Sequence, residues 1–142
     1  VNARPYASVV ITGGCLCGAV RYELVGPIAL VGHCHCSICR RHSGAAHGTF
    51  AHAPATGFRW LAGEDHVDRF QTSPKIRRAF CRVCGAKLPI VSAELEQVAI
   101  PAGTLDDDPG ARPALHLHVR SKAPWHEITD ALPQLDGGPA DG

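Results

Sequence analysis

Net charge is the first thing the chain lacks: 14 Lys and Arg face 13 Asp and Glu, a formal balance of +1 over 142 residues. No broad cationic field therefore exists to draw in nucleic acid or an anionic membrane, and any basic patch must be local. No apolar run approaches the roughly 20 residues that span a bilayer. The opening segment VNARPYASVV lacks the longer apolar stretch and small-residue cleavage site of an export signal. The chain is accordingly expected to be soluble and cytoplasmic. Cysteine is too sparse for a small disulfide scaffold, and its count of seven is odd. With 15 Gly and 11 Pro, uninterrupted helical stretches are also missing, which argues against a long-helix bundle. What is present in quantity is apolar material, 45 % of residues, enough for one core in one domain of ordinary size.

Short β-favouring runs punctuated by Gly, Pro, Ser or Asp recur along the chain. Ser8 to Thr12 is β-branched and stops at Gly13-Gly14. Val20, Tyr22 and Leu24 alternate with Arg21 and Glu23, the period of a half-buried strand. Further candidates are 28–31, 47–52, 58–61, 67–71, 76–80, 87–91, 97–100 and 115–119, with one short helical turn over Ser37 to Ser43 ended by Gly44. The pattern predicts a mainly β fold of short antiparallel strands. From Asp130 onward, Pro133, Gly137, Gly138 and Pro139 predict a fraying tail.

The cysteines fall into three groups at metal-ligand spacing. Cys15-Leu16-Cys17 is read as an extended pair whose sulfurs share a face while Leu16 turns to the core. Cys81-Arg82-Val83-Cys84 is a knuckle whose following Gly85 allows the left-handed backbone that the turn needs. Two thiolates from each make a closed four-sulfur zinc site, a structural cross-link between segments 64 residues apart. Cys34, Cys36 and Cys39 offer three ligands from one loop. Either the fourth position stays open, as in catalytic zinc sites, or His33, His35 or His42 closes it and makes this zinc structural as well. Two zinc ions per chain follow, although a thiolate site can also take iron. Arg40 and Arg41, next in sequence, could offset the negative charge of a three-thiolate site or hold the carboxylates of an anionic thiol such as glutathione.

Taken in order, Gly13 to Tyr22, His33 to Ala45, Phe80 to Gly85, Gly103 to Asp107, His116 and Ser121 to Trp125 resemble the glutathione-dependent formaldehyde-activating enzyme family, whose domain is shared with centromere protein V. The likeness spans about 10–136, leaving 1–9 as an N-terminal extension and 137–142 as a flexible tail. It implies a zinc-bound β-tent, with structural zinc on Cys15, Cys17, Cys81 and Cys84 and catalytic zinc on Cys34, Cys36 and Cys39. The implied activity is that of a carbon–sulfur lyase, joining formaldehyde to glutathione as S-hydroxymethylglutathione and serving formaldehyde detoxification. The alternative is a non-enzymatic zinc module that binds another macromolecule.

For the enzyme, the expected partners are a small-molecule thiol such as glutathione and a small aldehyde. A proton must reach the developing alkoxide, and His35 or His42 is near enough in sequence to carry it. His116 and His118 are expected at the solvent face of a strand, and Phe50 and Trp125 in the core. An open metal position in a concave pocket would favour the enzyme, and a fourth protein ligand beside an exposed apolar patch the binding module.

Overall fold

The computed structural model describes residues 9–138. Its strands are β1 (Val10–Gly14), β2 (Arg21–Val25), β3 (Leu30–Cys34), β4 (Gly48–Pro54), β5 (Phe58–Ala62), β6 (Val67–Ser73), β7 (Ile76–Cys81), β8 (Lys87–Leu88), β9 (Ile90–Ser92), β10 (Gln97–Pro101) and β11 (Pro113–Leu117). One α-helix among the described residues, α1 (Ser37–Ser43), lies between β3 and β4. The strands form three sheets, ordered β1-β2-β5, β11-β3-β4-β10-β9 and β6-β7-β8. The molecule is mainly β and built from short, mostly antiparallel pairs, as the punctuated runs predict. Among the described residues no helix is long and apolar enough to cross a membrane.

The five-stranded sheet has two different faces because side chains alternate along each strand. Val31, Ala51, Ala53, Val98 and Ile100 point one way and pack with Ile11, Tyr22 and Leu24 of β1 and β2 into the principal core. Gly32, Cys34, Phe50, His52 and Ala99 lie at the intervening positions and line a cavity, where they meet Ile76 and Arg78 of β7. A second, smaller core gathers Cys15, Val20, Val67, Ala79, Cys81 and Leu88, and Trp60 packs against both.

Several features depart from the sequence reading. β1 continues through Gly13 and Gly14, which pair with Tyr22 and Arg21. A Cβ at Gly13 would stand 2.3 Å from the Tyr22 hydroxyl, so the missing side chain is what lets Tyr22 reach its partner, Thr104 Oγ1, at 2.6 Å. The apolar run 87–91 is split at the buried Pro89, which cannot donate to a ladder. β11 runs parallel to β3, an exception to the antiparallel expectation that only a long-range return of the chain could produce.

The fraying predicted from Asp130 is also corrected. The segment lies along β11: His116 N–H donates to Pro133 O, Leu135 N–H to His116 O, Val119 N–H to Leu135 O and His118 N–H to Gly137 O. Gly138 is buried as well, and the remaining tail positions 139–142, like 1–8 of the N-terminal extension, lie outside the described residues.

Leu24 is 1 % exposed in the principal core. Truncating it to Ala should cost about 2–5 kcal/mol, from lost transfer energy and the cavity left behind. Urea unfolding of the Leu24→Ala protein is expected to show a lower midpoint with an unchanged slope.

Candidate metal centres and adjoining cavity

The first cysteine pair sits in a turn rather than in an extended strand. Gly18 N–H donates to Cys15 O at 3.2 Å, and Val20 N–H donates to Cys15 Sγ at 3.3 Å. The turn leaves Leu16 86 % exposed, so the expectation that it packs into the core is corrected. The second pair is a knuckle closed by Gly85 N–H donating to Cys81 O at 2.8 Å, with Gly85 at φ +77°. The four sulfurs of Cys15, Cys17, Cys81 and Cys84 converge, each within 4.8 Å of the others. Cys15 and Cys17 are 3.6 Å apart and Cys17 and Cys81 3.9 Å. Zinc at about 2.3 Å from each sulfur needs tetrahedral edges of about 3.8 Å, so this donor set fits the ion.

Cys34, Cys36 and Cys39 form the second group, again within 4.8 Å of one another. Cys34 ends β3, Cys36 caps α1 by accepting the Cys39 N–H at 3.3 Å, and Cys39 is buried in the helix. One tight strand-to-helix turn thus delivers three sulfurs. Among the described residues no histidine or carboxylate donor joins them within that distance. Hydrogen bonds from Cys34 and then Cys39 push the Cys36 thiol below its ordinary range, and those from Cys36 and then Cys39 raise Cys34. None of the seven cysteines is in a disulfide.

Arg78 is the residue that motif spacing missed. It is buried, and both its Nη atoms donate to Cys39 Sγ, at 3.4 and 3.5 Å. A cation held against sulfur favours the thiolate. Its guanidinium also lies 5.9 Å from the Phe50 ring centroid. Phe50 can take that place because Gly48 has no side chain; a Cβ there would fall 2.6 Å from the ring. The available signal was the alternation Ile76, Arg78, Phe80 on β7, which puts an arginine at an inward position.

Arg40 and Arg41 stand elsewhere. Arg40 Nε donates to Ser121 O at 3.1 Å, whereas Arg41 is exposed beside a separate depression that it shares with Ile38, His42 and Phe70. Arg78, not this pair, is therefore the arginine in contact with the three-sulfur group.

His35 is fully buried, and its Nε2 bonds His116 Nδ1 at 2.8 Å. His116 is buried too, correcting its expected solvent exposure, and its Nε2 donates to Asp130 at 3.1 Å. In the neutral ring that donation leaves His116 Nδ1 as acceptor and His35 Nε2 as donor. His33 and His47 lie nearby, with ring centroids 4.5 Å apart and planes tilted by 56°. Burial first, and then the neighbouring imidazole of His47, lowers both His33 and His35 to about 4. His42, pushed down to about 4 by burial, lies outside the cavity.

The cavity beside Cys34 and Cys39 measures about 180 Å³. Phe50, expected in the core, forms part of its wall, and His52 and His118 are its imidazoles. Burial lowers the His52 pKa. Trp125, also expected in the core, is 72 % exposed.

The family model of the glutathione-dependent formaldehyde-activating enzyme matches residues 10–121. A Halomonas elongata protein that carries this enzyme as a provisional name is 30 % identical over 129 residues, 84 % of this chain and 82 % of its own. A crystal structure of a Rhodobacter sphaeroides protein superposes with a TM-score of 0.57 at 26 % identity, covering 72 % of this chain and 91 % of that one.

The depressed histidines have a measurable sign. A folded imidazole at about 4 against an unfolded value of 6.5 contributes stability that is complete above pH 6.5 and is lost as pH falls toward 4. In an imidazole NMR titration, the His33 and His35 ring signals are expected to stay at their neutral positions down to about pH 5.

Proposed function

The chain belongs to the glutathione-dependent formaldehyde-activating enzyme family, and on that premise we propose that it is a carbon–sulfur lyase that makes and breaks the adduct of a thiol and a small aldehyde. The observation that supports this most is a concave cavity walled by Cys34 and Cys39, with a buried arginine on the sulfur. In this reading Cys15, Cys17, Cys81 and Cys84 hold structural zinc, and Cys34, Cys36 and Cys39 hold catalytic zinc. Bound there, zinc supplies a Lewis acid that keeps a thiol ionised near neutral pH.

The chain's own side chains supply the rest. Arg78 fixes Cys39 and offsets the surplus negative charge of three thiolates. Phe50 and its apolar neighbours keep water away from the reacting carbon. His52 and His118, as the imidazoles of the cavity wall, are the groups placed to exchange a proton with the adduct's oxygen. Arg40 and Arg41 lie in the last turn of α1, where they can meet the carboxylates of a thiol such as glutathione. His35, bonded to His116 and removed from the cavity wall, acts through the packing behind Cys34 rather than as the proton carrier.

A binding module remains the second reading because Leu16 and Val83, one from each knuckle of the four-sulfur group, are both exposed. The distinguishing experiment mixes zinc-loaded protein with glutathione and formaldehyde and follows adduct exchange by NMR against the uncatalysed reaction. Acceleration supports the lyase. Background rates with every thiol and aldehyde tried would leave the binding module.

Three substitutions separate the roles. Cys36→Ser should reduce exchange to background and remove one zinc while the fold survives. Cys81→Ser should release the other ion and lower the melting temperature on the order of 10 °C, about 3 kcal/mol for a chain of this length. Arg40→Ala should chiefly raise KM for glutathione, with kcat nearly kept. Graded chelation is expected to take the three-cysteine ion first, and metal analysis alongside circular dichroism checks that order.

A further inference from the structure

The cavity is far larger and more apolar than formaldehyde requires. Formaldehyde brings a single carbon, while the space beside Cys34 and Cys39 measures about 180 Å³ and is walled mainly by Phe50, Ile76, Ile90, Ala99 and Leu117. Dry apolar cavities of about 150 Å³ take a molecule the size of benzene. Glutathione cannot account for the space. Its sulfur sits within a polar tripeptide, and the wall offers that peptide only His52, His118 and an Arg78 whose Nη atoms are committed to Cys39 and whose Nε is buried. The peptide must stay outside, which leaves the apolar volume to whatever the aldehyde carries.

We propose that the preferred substrate is the thiol adduct of an aldehyde bearing an apolar chain or ring of about four to six carbons, seated between the five-stranded sheet and β7. This rests on the lyase reading and names its substrate class. The Ala99 methyl sets the depth of the seat: Ala99 lies on β10 between His52 of β4 and Ile90 of β9, on the face opposite the core residues Val98 and Ile100. In the cleavage direction the carbon–sulfur bond breaks with its electron pair going to sulfur. The carbinol oxygen gives up its proton as the carbonyl forms, and that proton passes to water through an imidazole of the wall. Nothing is oxidised or reduced. The chain contributes binding to the seat, worth about fourfold in kcat/KM per buried methylene.

The test uses zinc-loaded protein and glutathione adducts of formaldehyde, propanal, pentanal, benzaldehyde and nonanal. Each is read as acceleration over its own uncatalysed exchange, so that intrinsic differences between aldehydes cancel. The expected series rises about fourfold per carbon to pentanal and benzaldehyde and falls at nonanal. Ala99→Val and Ala99→Leu should lower the ratio of pentanal to formaldehyde acceleration progressively, by tenfold or more for Leu. A parallel arm pairs formaldehyde with pentanethiol. If acceleration follows the chain on the thiol, or if formaldehyde is favoured over every larger aldehyde, the proposal is overturned while the lyase reading stands. If no adduct is accelerated, both fall.

Discussion

Alternation along β3, β4 and β10 governs how this molecule can be both stable and open. In a sheet one residue wide, side chains must leave by opposite faces, and here consecutive residues serve opposite purposes. Val31, Ala51 and Ala53 go to the core, while Gly32, Phe50 and His52 go to the cavity. A one-residue slip would exchange the two sets, burying His52 in the apolar core and emptying the wall beside the cysteines. Register is therefore held at both ends of the problem: the core fixes it by burial, and the cavity inherits its geometry.

Charge is handled by the same economy of placement. Three thiols in one turn would repel one another once ionised, and the buried cation of Arg78 stands on Cys39. Behind them the imidazoles of His33 and His35 are held neutral by burial, so they add no competing positive charge next to the sulfurs. The polar chain Asp130, His116, His35 fixes the orientation of both rings, although the residues come from distant parts of the sequence.

What could be read from the sequence was whatever depends on short spacing. The cysteine groups, α1 and most strands follow from local pattern, because ligand spacing, alternation and breaker residues act within a few positions. The same spacing divided the cysteines into two centres, and the resemblance to known relatives added the activity expected of the three-cysteine one. Local pattern failed where distant segments meet. Arg78 looks like one more basic residue until β7 is laid over the cavity, and His35 looks like a proton carrier for the cysteine loop until β11 brings His116 to it. Trp125 has the composition of a core residue, yet it falls on a segment that no sheet covers. Leu16 was misplaced because the turn at Gly18 replaces the extended backbone on which its inward direction depended.

The residues after Asp130 give the five-stranded sheet something its strand order does not. β11 is its outermost strand on one side, and a bare edge of this kind exposes a row of unpaired amides and carbonyls to any passing chain. Here that row is occupied: the backbone from Pro133 to Gly137 bonds to His116, His118 and Val119, with a parallel bridge between His116 and Gln134. A stretch whose composition suggests dispensability thus works as a guard against self-association. A copy cut back to Asp130 would carry the same core and the same cysteines, and its newly opened edge would be a template for aggregation.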